Sequence, residues 1–119
     1  MRRPPARFGR SRPDIRGSTV VGVSVTFQYD EDFDRARVIS IAEHARQTFE
    51  GMSGLRSKAF TVDDARQRAM NFYVWESEDA AKRFFSEEMR ERVTGLYGVE
   101  PTIDFLEIAQ LVDNSGPQV

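Results

Sequence analysis

Residues 20–29 read VVGVSVTFQY, and their side chains separate by parity. Val21, Val23, Val25, Phe27 and Tyr29 fall on one face, Gly22, Ser24, Thr26 and Gln28 on the other. Side chains of an extended chain alternate in direction, so the stretch predicts a strand with one buried face. Such a strand needs partners in a sheet and a layer to cover its apolar side. The next residues supply that layer. Asp30 to Asp34 place negative charge where a helix begins, and from Val38 the apolar positions Ile41, Ala42, Ala45, Phe49 and Met52 form one amphipathic stripe. Gly51 and Gly54 end this helix.

LRSKAFTV, residues 55–62, and AMNFYVWE, residues 69–76, predict two strands joined by the polar DDARQR, hence an antiparallel hairpin. Ser77 is a good N-cap for a second helix that carries Glu78 and Asp79 in its first turn, then Ala80, Ala81, Phe84 and Phe85. TGLYGVEP reads as a loop, TIDFLEIAQLV, residues 102–112, as a fourth strand, and DNSGPQV as a loose tail. The order β-α-β-β-α-β is the split-βαβ, ferredoxin-like α+β arrangement, a four-stranded antiparallel sheet with two helices on one face. The third strand is apolar on both sides, with Met70, Phe72 and Val74 opposite Tyr73 and Trp75. One helical layer covers only one side, so the other face predicts a homodimer.

The 119 residues suit one domain. Residues 1–17 hold six Arg against one Asp, with only Phe8 and Ile15 as large apolar residues, and are expected to be disordered. They read as an unselected leader or a start codon placed too far upstream, although their charge alone would let them touch nucleic acid or anionic lipid. The folded domain is expected over 18–113, with 114–119 a flexible tail. Beyond residue 17 the chain holds 11 basic and 18 acidic groups, a net of −7, which argues against a nucleic-acid partner. No apolar run reaches the roughly 20 residues that span a bilayer, so no membrane association is expected. With no cysteine there is no disulfide and no thiolate chemistry, consistent with a cytoplasmic protein. No phosphate loop, HExxH or metal-ligand cluster occurs, and Asp63-Asp64 reads as a turn.

Gly54-Leu55, Lys58 and Phe60, then Trp75-Glu76-Ser77, Ala80-Ala81, Phe84-Phe85 and Ser86 form a pattern that resembles the dimeric α+β-barrel superfamily, closest to the antibiotic-biosynthesis monooxygenase type. GLYGVEP and the last strand are similar to related bacterial mono-oxygenase-like proteins, and the resemblance covers residues 19–114. It implies an oxygenase without metal, flavin or other cofactor, acting on an electron-rich aromatic, quinol or enol. A base removes an acidic proton, the anion reduces oxygen, and the two combine. Such chemistry needs a dry apolar pocket and a few donors to orient the anion. The same pocket would also suit a cyclase or isomerase, or a non-catalytic dimeric binder of an apolar ligand.

Asn71, Tyr73 and Trp75 share a strand face and are the first site candidates, as orienting group, donor and wall. Core packing for Trp75, its indole N–H bonded to backbone, and a cross-strand bond for Asn71 are the plainer readings. In haem-degrading relatives an Asn, a Trp and a His make the site, but no His follows the second helix here. His44, the only histidine, lies roughly 110° from the centre of the first helix's stripe at about 100° per residue, a flank position. It is a candidate base because imidazole is the usual proton carrier near neutrality. On an unbroken second helix Glu88 falls between Phe84, Phe85 and Met89, where a carboxylate becomes a base candidate. The family pattern breaks the helix at Ser86 and makes Glu88 an ordinary first-turn acid. Phe27, Phe49, Phe84 and Phe85 are the expected apolar lining. Arg56 and Lys58 share a strand face with Phe60 and Val62 and could meet an acidic substrate, although edge-strand charges that discourage aggregation are the plainer reading.

Overall fold

The computed structural model describes residues 20–114. The proposed leader, and the tail beyond residue 114, lie outside the described residues. Strand β1 (Val21–Gln28) leads to helix α1 (Arg35–Phe49), strands β2 (Leu55–Asp63) and β3 (Arg68–Trp75), helices α2 (Glu78–Phe84) and α3 (Glu87–Tyr97), and strand β4 (Thr102–Glu107). The four strands form one sheet in the order β2-β3-β1-β4, every pair antiparallel. This is the ferredoxin-like α+β fold.

The parity of β1 sets the layers. Val21, Val23, Val25 and Phe27 pair with Trp75, Tyr73, Asn71 and Ala69, and all eight are buried. The alternate set pairs Gly22 with Val74, Ser24 with Phe72 and Thr26 with Met70 on the outer face. Helical residues pack against the first set, with Val38, Ala80, Ala81 and Tyr97 in the core. At Gly54 φ is +84°, and a Cβ would come within 2.9 Å of the Ala80 Cβ. Only glycine fits there, where the chain enters the sheet and its carbonyl accepts from the Glu76 N–H at 2.8 Å.

Two features differ from the sequence reading, and a third decides between the unbroken helix and the break at Ser86 that it left open. The second helix is two helices, which meet at Phe85–Ser86; the Ser86 side chain accepts from the Met89 N–H and restarts the helix as its N-cap. The segment TGLY is not loop, because α3 runs through it to Tyr97 and ends on Gly98 at φ +86°. Gly95 is tolerated inside the helix because the carbonyls beyond it are bonded: Arg37 Nη2 donates to Leu96 O at 2.9 Å and Tyr29 Oη to Tyr97 O at 2.7 Å. Strand β4 stops at Glu107, short of residue 112, since β1, its partner, begins at Val21 opposite Glu107. Among the described residues no helix is long and apolar enough to cross a membrane.

Candidate functional site

Helix α1 presents its stripe to the sheet yet buries only Val38 fully. Ile41, Ala45 and Phe49 are half-buried because they roof a cavity of about 500 Å³ between α1, α3 and the sheet. Its floor comes from Val25 and Phe27 on β1 with Asn71 and Tyr73 on β3. Phe60 and Phe84 close it at one side, and the exposed His44 and Arg92 stand at its rim. The lining is chiefly aromatic and aliphatic, with a few polar groups placed among it, the usual composition of a small-molecule site.

Asn71 is the one buried polar side chain of the sheet, 4% exposed, and its Nδ2 donates to Tyr97 Oη at 3.3 Å. Tyr97 reaches it from the end of α3, its ring stacked on Phe27 with centroids 3.7 Å apart. Burial pushes the Tyr97 phenol up, while the bond from Asn71 holds it down. Burial also pushes the Tyr73 phenol up, with the neighbouring Tyr97 adding to it, so Tyr73 remains a neutral hydroxyl donor at physiological pH. His44 Nδ1 lies 2.8 Å from Ser40 O. A carbonyl only accepts, so in this contact Nδ1 carries a hydrogen.

The structure separates the other candidates. Phe27, Phe49 and Phe84 line the cavity with Asn71, Tyr73 and His44, whereas Trp75, Phe85 and Glu88 do not. Trp75 is 1% exposed and lies behind Tyr73, stacked on it at 5.9 Å. Its indole N–H has no backbone partner, contrary to the core reading. An unsatisfied buried donor costs about 1–3 kcal/mol, set here against ring contacts with Phe84 and Phe85. Phe85 packs edge-on against Tyr73 and Phe84, where it closes the core between α2 and the sheet. Glu88 is exposed in the first turn of α3, because the break at Ser86 rotates it out of the apolar face.

Lys58 overturns the edge-strand reading. Lys58 opposes Tyr73 in the same unbroken register that sets Phe60 opposite Asn71 and Val62 opposite Ala69, and the bulge of β2, between Leu55 and Ser57, lies beyond it. Lys58 therefore points to the helical side with Phe60 and Val62. Its ammonium lies 3.3 Å from the Phe49 ring centroid, 4.0 Å from Phe60 and 4.4 Å from Tyr73. Burial pushes it from an ordinary 10.5 down to about 7. That shift is worth roughly 5 kcal/mol against the charged form, more than the ~2 kcal/mol that ring faces return to a desolvated cation. Arg56, by contrast, is exposed. Sequence reasoning also missed Tyr97, read as loop. The shared parity of Lys58 with Phe60 and Val62 was the available signal for the first; nothing local marked the second.

Comparison with known proteins bears on the fold. No family profile and no curated protein matches the chain. Among solved structures, a monooxygenase of Streptomyces coelicolor from the gene ActVA-Orf6, in complex with nanaomycin D, superposes with a TM-score of 0.60 at 24% identity, over 82% of this chain and 94% of that one. SnoaB, a cofactor-independent oxygenase of Streptomyces nogalater, gives 0.54 at 16% identity, over 84% and 100%. A conserved protein of Methanosarcina mazei Go1 gives 0.59 at 10%, over 76% and 93%. At these identities the likeness is one of fold, and it is the fold that the sequence resemblance implies.

Proposed function

We propose that the protein is a cofactor-independent monooxygenase-like enzyme that oxidises an electron-rich aromatic, quinol or enol. The observation that carries this reading is the cavity of about 500 Å³, its floor holding Asn71 and Tyr73 among chiefly aromatic and aliphatic walls. Two of the proteins with this fold, the ActVA-Orf6 monooxygenase and SnoaB, are oxygenases, which favours that use of the cavity.

The residues divide the work. Phe27, Phe49 and Phe84 hold a flat ring and keep water from it. Asn71, fixed by Tyr97, and Tyr73 offer donors to a developing oxyanion in a setting where each hydrogen bond counts for more than in water. Trp75 and Phe85 act from behind, holding the Tyr73 ring in place. In an anthrone, for example, loss of a proton gives an enolate that transfers electrons to oxygen; one oxygen atom enters the ring as a carbonyl and the other leaves as water with both hydrogens. We also infer that Met70 and Phe72, half-buried on the sheet face away from the helices, meet a second copy of the chain. Leu106, exposed on the neighbouring β4, extends that apolar surface.

Oxygen uptake with a panel of anthrones and hydroquinones tests the activity. Stoichiometric uptake with dione formation supports the oxygenase. A product at unchanged oxidation state would indicate a cyclase or isomerase, and binding without turnover a ligand carrier.

A further inference from the structure

Among the described residues nothing neutralises the amino group of Lys58. It forms no ion pair with any of them, and the cavity lining contains Arg37, Arg92 and His44 but no carboxylate. The body of the chain is strongly acidic, so this selection is specific to the cavity. The groups around Lys58 are few. On α1, Arg37 and His44 face the same cavity; toward the outside, Arg46 and Glu50 border a shallower groove with Lys58 and Arg56, and Glu50 is bound to Arg46 at 2.9 Å. From β3 comes the Tyr73 ring, and from α3 Arg92 and Tyr97.

We propose that the cavity takes a planar aromatic bearing an acidic hydroxyl, a phenol or enol, and that Lys58 receives its proton. The O–H bond breaks, an N–H bond forms, the electron pair stays on oxygen, and an ammonium–phenolate pair results within the cage of Phe49, Phe60 and Tyr73. This rests on the oxygenase reading for its consequence, since the anion so formed is the species that reduces oxygen, but the ionisation itself needs no oxygen. The geometry supplies the reasons. The pairing of Lys58 with Tyr73, in the register that sets Phe60 opposite Asn71, turns it inward, ring faces accept either its neutral or its charged form, and no carboxylate of the cavity lining competes for it. Burial keeps the free amine available near neutral pH, the condition for a proton acceptor.

The test uses 4-nitrophenol, whose hydroxyl ionises near neutrality with a visible band and which consumes no oxygen. At pH 7 the free probe is only partly ionised and the amine of Lys58 is about half in its free form, and the wild-type protein is expected to raise the phenolate band on binding. The complex holds one proton shared between Lys58 and probe, so affinity is expected to fall about tenfold per pH unit once both are deprotonated in the free state, above about pH 8. In K58R the cation persists, and affinity stays high as pH rises. In K58M the band is lost and affinity for the phenolate falls at least tenfold. A wild-type complex without the band, or K58M with band and affinity unchanged, would overturn the proposal. Oxygen uptake with an anthrone separates the two claims: ionised probe without anthrone oxidation sinks the oxygenase alone, and equal oxidation by wild type and K58M sinks the role of Lys58 alone.

Discussion

Replacing Lys58 by Met should change how stability depends on pH in one defined window. In the folded protein the amine titrates at about 7, in the unfolded chain at its ordinary 10.5. Between those values the unfolded chain binds a proton that the folded one does not, so stability rises with pH, by at most about 1.4 kcal/mol per unit. Below pH 7 both states are charged and the folded state carries the penalty of holding an ammonium in a half-buried site. The whole shift is equivalent to roughly 5 kcal/mol. Residual solvent contact and the attraction of the three ring faces, about 2 kcal/mol, reduce this to about 3 kcal/mol. The tyrosines set the upper limit of the window. Tyr29, Tyr73 and Tyr97 are all pushed up by burial, so near pH 10 the unfolded chain loses protons that the folded one keeps and stability falls again. Urea denaturation of wild type and K58M from pH 6 to 9.5 isolates the lysine, because the other groups cancel in the difference. Below pH 7 K58M should be the more stable protein by about 3 kcal/mol, and its advantage should shrink steadily above pH 7. Two parallel curves would refute the burial of Lys58.

Other variants probe the fold that holds the cavity. Gly54→Ala meets Ala80 at 2.9 Å in a left-handed backbone and should lower urea stability by about 1–3 kcal/mol from the backbone alone, with the clash added. Tyr97→Phe leaves the buried Asn71 amide without its acceptor, at about 1–3 kcal/mol, and slows turnover more than it weakens binding if Asn71 orients the oxyanion. Ser86→Ala removes the N-cap of α3 at a cost of about 1 kcal/mol by thermal denaturation, without moving Glu88 into the cavity, because the break is also held by Phe85 in the core. Phe72→Asp on the outer face should yield a monomer by light scattering where the wild type gives a dimer; a wild-type monomer at micromolar concentration would sink the second-copy reading.

The strands and α1 were legible because their periodicity repeats over many residues: β1 alternates through Tyr29, and the α1 stripe runs from Val38 to Phe49. Ser77 and Ser86 marked helix starts through a local hydrogen bond that a serine makes wherever the chain turns into a helix. What escaped the sequence was decided by distant partners. Tyr97 belongs to a helix because Tyr29 and Arg37, some 60 residues earlier, satisfy the last carbonyls past Gly95. Trp75 looked like a cavity wall by parity, but the Tyr73 ring stands in front of it. Lys58 sat in plain view on an apolar face, and only the pairing with Tyr73, Asn71 and Ala69 on β3 settles that this face is the inner one.

The central claim is that this cavity lets a substrate's own electrons reduce oxygen. Supplying isotopically heavy oxygen gas to the protein with a reactive anthrone, and weighing the products, tests it most directly. One heavy oxygen atom per dione, with the other in water and uptake equal to product formed, is the predicted result. A dione whose new oxygen is unlabelled, or a product at the oxidation level of the starting anthrone, would contradict it.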